Sequence, residues 1–151
     1  DRQGFQERVA YAGHLDAVKP ALGIGENLAV WAGIHGTDPA RAGAALARFG
    51  LDGIATRPAG QCSAGQKRRL GLARLLVMDR PLWLLDEPTV SLDAESTALV
   101  ADLVREHVEA GGIALIATHV ELGLGDIPVL RMTPPRVEAR AEDDPFLAGA
   151  W

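Results

Sequence analysis

Residues 80–119 restrict the fold more than any other stretch of the chain. "PLWLLDEP" and "GGIALIATH" each hold four or five consecutive apolar residues bounded by Pro or Gly, a strand's length rather than a helix's. Between them Asp93 is placed to cap a helix over about 94–110, with Leu99, Leu103 and Val104 inward and Gly111 and Gly112 ending it. A strand, helix, strand order in so short a span predicts a right-handed βαβ unit with parallel strands. Both apolar runs are continuous rather than alternating, so both strands are expected to be covered on both faces. Parallel strands finish at one edge of the sheet, which is where Asp86, Glu87 and His119 are then expected to arrive.

Upstream, "RVAYAG" reads as a third short strand closed by Gly13 and leading into a loop around His14. From Glu26, Leu28, Trp31 and Ala32 share one helical face, ending at Gly33 or Gly36. A second helix has Asp38 as its cap, Pro39 at its first position and a stripe of Ala42, Ala45, Leu46 and Phe49. Residues 26–51 therefore predict a small helical subdomain. Ser63 is placed to cap a further helix with Leu70, Ala73, Leu76 and Val77 inward and Pro81 as its far limit. Beyond Met132 the pattern fails, and the Pro-, Ala- and acid-rich remainder reads as a flexible tail with Phe146, Leu147 and Trp151 as docking candidates.

A chain of 151 residues, 48% hydrophobic and 23% charged, has room for one domain with a core and is not wholly disordered. Its net charge of -5 implies no general polyanion-binding surface, so no nucleic-acid partner is expected. One cysteine, Cys62, excludes an internal disulfide, fits a reducing compartment and reads as a small packing residue. The apolar runs fall far short of the ~20 residues a membrane-spanning helix needs, so a membrane role requires a partner. The opening "DRQGFQERV" lacks an initiator Met and both parts of a signal peptide, so the native protein is expected to extend further at its N-terminus.

Phosphoryl transfer from a nucleotide to water needs a carboxylate to hold Mg²⁺ and a group to orient the attacking water. Asp86 suits the first role and Glu87, turned out at the strand end, the second. His119 is placed to donate to a terminal phosphate oxygen, and His14 is a further candidate facing the same edge. In "SAGQ", Ala64 and Gly65 allow close backbone approach, Ser63 adds a hydroxyl, and the free N–H groups of a helix start favour an anion. Lys67, Arg68 and Arg69 follow in the first turn, where their charge opposes the helix dipole unless a phosphate lies nearby. The bland readings are a strand exiting into water, an ordinary capped helix with a solvated basic face, and two structural histidines.

Taken in order, these segments resemble the nucleotide-binding domain of ABC ATPases. "CSAGQ" is similar to the signature motif LSGGQ, "PLWLLDEP" to the Walker B strand with its catalytic glutamate, "VSLD" to the D-loop and "ATH" to the switch histidine. A narrower resemblance, to CcmA-type ATP-binding subunits of cytochrome c maturation, is carried by "YAGHLDAVKPAL", "ENLAVWA", the Ala of "SAGQKRRLGLARLL", and "GGIALIATHVEL".

The resemblance implies an α/β P-loop NTPase (RecA-like) core with a helical subdomain, ATP and Mg²⁺ as cofactors, and ATP hydrolysis coupled to haem export. It divides the chain into 1–13, the end of an N-terminal core portion; 14–61, switch loop and helical subdomain; 62–133, the signature, Walker B and switch-histidine part; and 134–151, a tail. It implies that Asp86 assists Mg²⁺, Glu87 polarises the hydrolytic water and His119 contacts the γ-phosphate, with His14 where most ABC proteins have Gln. Ser63, Ala64, Gly65 and Gln66 would close over ATP on the opposite subunit, with Asp93 at the dimer interface.

The implied partners are a second nucleotide-binding subunit and membrane permeases of CcmB and CcmC type, at the cytoplasmic face of the inner membrane. Cys62, Ala64, Val90 and Ser91 depart tolerably from the family pattern. No G-x-x-x-x-G-K-[ST] occurs, so the chain by itself is expected to bind ATP poorly, its Walker A portion lying in a longer native protein. The alternatives are an ABC ATPase for another cargo and a non-catalytic module that binds a partner subunit.

Overall fold

A computed structural model describes residues 2–132. Its three strands, β1 (Val9–Ala12), β2 (Leu82–Asp86) and β3 (Ile113–Ala117), form one parallel sheet in the order β1-β2-β3. The register aligns Val9, Leu82 and Ile113, then Tyr11, Leu84 and Leu115, and ends with Asp86 beside Ala117. The tail candidates Phe146, Leu147 and Trp151 lie outside the described residues.

The helices are α1 (Arg2–Gln6), α2 (Ile24–His35), α3 (Ala40–Arg48), α4 (Ala64–Met78) and α5 (Ala94–Glu109). At five residues α1 is too short for a periodic pattern to register, and the sequence reading missed it. α2 starts two residues before Glu26 because that side chain reaches back to accept from the Gly23 N–H at 2.7 Å, making it part of the cap. It stops at Gly36, whose φ of 64° suits a residue without Cβ. In α3 the Asp38 carboxylate accepts from the Ala40 N–H at 2.9 Å, and the expected stripe of Ala42, Ala45, Leu46 and Phe49 is buried. α5 begins at its Asp93 cap and runs to within two residues of Gly111.

One expectation fails. Among the described residues, β2 and β3 are covered on one face only. Leu72 and Leu75 of α4 and Val100, Leu103 and Val104 of α5 line one small cavity with Trp83 and Leu85 and share a buried core with them, and a large apolar side chain fully buried in this way contributes about 1.5–3 kcal/mol. Both helices lie on that side. On the other face Tyr11, Ile113 and Leu115 are more than half exposed, and Leu82 and Leu84 are half-buried. Continuity of the apolar run fixed the strands but not their burial, because Leu82 and Leu84 face away from the two helices.

Two side chains fasten the 13–22 loop and β1 to the helices. Asn27 of α2 accepts from the Lys19 N–H at 2.8 Å and donates to the Lys19 and Gly23 carbonyls at 3.2 and 3.0 Å. Arg74 of α4 donates to the Tyr11 carbonyl at 2.9 Å with its guanidinium 5.1 Å from the Trp31 ring centroid. Burial pulls the Arg74 pKa down from its usual value, and Asp16 opposes that shift.

Candidate active site

The ends of β2 and β3 bring Glu87 and His119 into contact. His119 Nδ1 lies 2.7 Å from Glu87 Oε1, and the Thr118 hydroxyl donates to Glu87 Oε2 at 3.2 Å. The hydrogen bond from His119 holds the Glu87 carboxyl below the usual carboxylate range; burial opposes it, and the Thr118 hydrogen bond adds a smaller lowering effect. At neutral pH Glu87 is therefore an anion with both oxygens engaged from the end of the neighbouring strand.

Its backbone is unusual. Glu87 has φ 47°, the left-handed region that few residues other than Gly occupy. Pro88, which follows and is fully buried, disfavours the right-handed helical conformation at the residue before it. The Glu87 N–H still donates to the Ala117 carbonyl at 2.8 Å, so the ladder continues one rung past β2 before the chain turns. Asp86, the last residue of β2, is half-buried, with its Oδ2 3.5 Å from the Tyr11 hydroxyl. Among the described residues it has no ion pair, and no group of three or more His, Cys, Asp or Glu is gathered to hold a metal.

At the start of α4, Ser63 and Gln66 cap each other: the Gln66 N–H donates to Ser63 Oγ at 3.1 Å and the Ser63 N–H to Gln66 Oε1 at 2.9 Å. Ser63 and Ala64 are exposed, and Gly65 and Gln66 half-buried. A Cβ on Gly65 would stand 3.1 Å from the Ser91 carbonyl, so this helix start presses against the turn that follows Glu87. Asp93 closes that turn, its Oδ1 accepting from the Ser96 N–H at 2.8 Å, which lowers its pKa. His14 is exposed, and no hydrogen bond joins it to Asp86, Glu87 or His119. Cys62 is buried, as its packing role requires.

In the basic first turn of α4 the bland reading of a solvated face does not hold for Arg68. Arg68 is 4% exposed, and Arg69 reaches the Phe49 carbonyl at 3.0 Å. Arg68 points inward because it shares a helix face with Leu72 and Leu75, four and seven positions on. A cation at an apolar-stripe position was the sequence signal for it. Thr118 and Tyr11 were also missed, as neither belongs to a charge pattern.

A family model described as ABC transporter matches residues 1–90. The chain belongs to the ABC transporter family. As a member of that family, the full-length protein is an ATPase. A protein of Cereibacter sphaeroides named cytochrome c biogenesis ATP-binding export protein CcmA is 58% identical over 144 residues, covering 93% of this chain and 68% of its own length. Relatives of the same name from Ruegeria pomeroyi and Rhodobacter capsulatus are 53% and 57% identical, covering 95% and 85% of this chain and 69% and 59% of theirs. The fold is similar to that of the ATP-binding cassette MJ0796, solved as a dimer in a post-hydrolysis state bound to ADP and Pi. That likeness has a TM-score of 0.69 at 23% identity and covers 80% of this chain and 57% of the other. The P-loop NTPase, ABC-type α/β fold expected from the sequence is thus found. No helix among the described residues is long and apolar enough to cross a membrane.

Proposed function

We propose that this chain is part of the ATP-hydrolysing subunit of an ABC export complex that serves cytochrome c maturation by handling haem. The observation that carries the reading is the Glu87–His119 pair at the sheet edge where Asp86 also ends, in a chain more than half identical to proteins named for cytochrome c biogenesis export. Glu87, anionic and oriented by His119 and Thr118, accepts a hydrogen bond from the attacking water and takes its proton. In its imidazolium form His119 donates Nε2–H to the terminal phosphate oxygen while Nδ1–H stays on Glu87.

Asp86 fits Mg²⁺, a cation that is commonly bound by one or two carboxylates together with substrate phosphates and retained waters. When bound, the ion neutralises charge on the transferring phosphoryl group. Ser63, Ala64, Gly65 and Gln66 form a partly exposed helix start suited to phosphates of a nucleotide held by a second copy of the subunit, with Asp93 beside that contact and His14 in the loop leading to it. A Walker A loop would be supplied by polypeptide outside these residues, and the open apolar face of the sheet offers such polypeptide a packing surface. Permeases of CcmB and CcmC type would hold the subunit at the cytoplasmic face of the inner membrane.

The test uses the full-length protein. Glu87→Gln is expected to keep ATP binding and lose most turnover, and undiminished hydrolysis removes Glu87 from the base role. Isolation with a haem-handling membrane partner supports the cargo, whereas isolation with a different permease replaces haem as cargo while leaving the ATPase reading intact.

A further inference from the structure

The turn that carries Glu87 is held from behind by one buried side chain. Arg68 donates through Nη2 to the Glu87 and Asp86 carbonyls at 2.7 and 3.3 Å, and through Nε to the Pro88 carbonyl at 3.2 Å. Its Nη1 donates to the Gly13 carbonyl at 2.5 Å and to Asp16 Oδ1 at 3.1 Å. Three of these five acceptors are consecutive carbonyls around a residue whose φ is 47°. The other two belong to the loop after β1, which also abuts α4 closely: a Cβ on Gly71 would meet Asp16 backbone atoms at 3.0 and 3.1 Å.

We propose that Arg68 is a positioning residue for hydrolysis, fixing the left-handed turn that aims Glu87 and locking that turn to the loop at residues 13–16. The inference rests on Glu87 being the base. A planar guanidinium presents its donors in a fixed fork, so one side chain spans both segments at once. A lysine ammonium retains the charge and cannot reach all five acceptors with aligned bonds, leaving carbonyls next to Glu87 unpaired and the turn free to relax. Arg68 never meets the reacting atoms. Its effect is on where the Glu87 carboxylate stands, and a displacement of that group by about 1 Å costs on the order of 100-fold in rate.

The experiment compares Arg68→Lys, Asp16→Asn and Glu87→Gln with wild type in the full-length protein, measuring kcat, KM, ATP affinity and thermal midpoint. Arg68→Lys is expected to lower kcat by about 10- to 100-fold while ATP affinity and KM stay near wild type. Asp16→Asn removes the ion pair on the loop side of the lock and leaves the Gly13 contact, so it should lower kcat less than Arg68→Lys does and add less in the Arg68→Lys background than in wild type. Wild-type kcat in Arg68→Lys overturns the proposal. Should Arg68→Lys unfold, Asp16→Asn decides: reduced kcat at unchanged ATP affinity supports the lock, and wild-type kcat overturns it. Undiminished hydrolysis by Glu87→Gln removes the base and this proposal together, whereas an inactive Glu87→Gln beside a fully active Arg68→Lys overturns the role of Arg68 alone.

Discussion

His119 Nδ1 lies 2.7 Å from Glu87 Oε1 across the ends of two parallel strands, joining residues 32 apart in the chain. This contact is the main reason the Glu87 carboxyl titrates below an ordinary glutamate, whose pKa is about 4.3. A carboxyl with a depressed folded-state pKa favours folding above its ordinary value, and that contribution vanishes as pH falls through the folded value. The contact should therefore persist at neutral pH and fail only on the acid side. A carboxyl-carbon NMR titration is expected to place the Glu87 midpoint below that of exposed glutamates, with His119→Ala raising it. Equal midpoints in the two proteins would show that His119 does not set the ionisation of Glu87.

The one-sided sheet makes neighbouring leucines unequal. Leu85 is 3% exposed against α4 and α5, while Leu84 on the opposite face is only half-buried. Leu85→Ala should destabilise this chain by about 2–5 kcal/mol in urea unfolding, through lost burial and a residual cavity. Leu84→Ala should cost about 1 kcal/mol or less, as at other incompletely buried positions. Similar losses from both would mean that the second face is covered in solution.

Local chemistry was legible where a side chain acts on its own neighbourhood. Asp93 and Ser63 cap the helices their positions announce, Asp38 bonds the first N–H of α3 from one residue before its Pro39 cap, and Gly36 and Gly111 end two helices. Parallel strand order also followed, and with it the meeting of Glu87 and His119, because a βαβ unit leaves no other edge for both. What escaped were matters of three-dimensional neighbourhood. Leu115 in an apolar run looks the same whether or not a helix covers it, and it is 65% exposed. Arg68 read only as a first-turn cation, beside a phosphate or solvated, because its five acceptors are carbonyls and one carboxylate, lying either 52 to 55 positions before it or 18 to 20 after it. Backbone carbonyls leave no mark in a sequence, so only the apolar spacing from Arg68 to Leu72 and Leu75 hinted at its direction.

Ser63 is the residue at which stability and the proposed function can be separated. Its hydroxyl accepts from the Gln66 N–H at 3.1 Å, so Ser63→Ala should cost about 0.5–2 kcal/mol of stability by removing the α4 cap. Asp caps helices as well as Ser does, and its charge is favourable at a helix N-terminus, so Ser63→Asp should unfold at or above the wild-type midpoint. If Ser63 also faces the phosphates of a nucleotide held by a second subunit, the same Asp places an anion against anions. Ser63→Asp in the full-length protein is then expected to be stable and nearly inactive, whereas Ser63→Ala is less stable and keeps more of its turnover. A Ser63→Asp protein that hydrolyses ATP at the wild-type rate would confine Ser63 to its capping role and move the phosphate contact away from the start of α4.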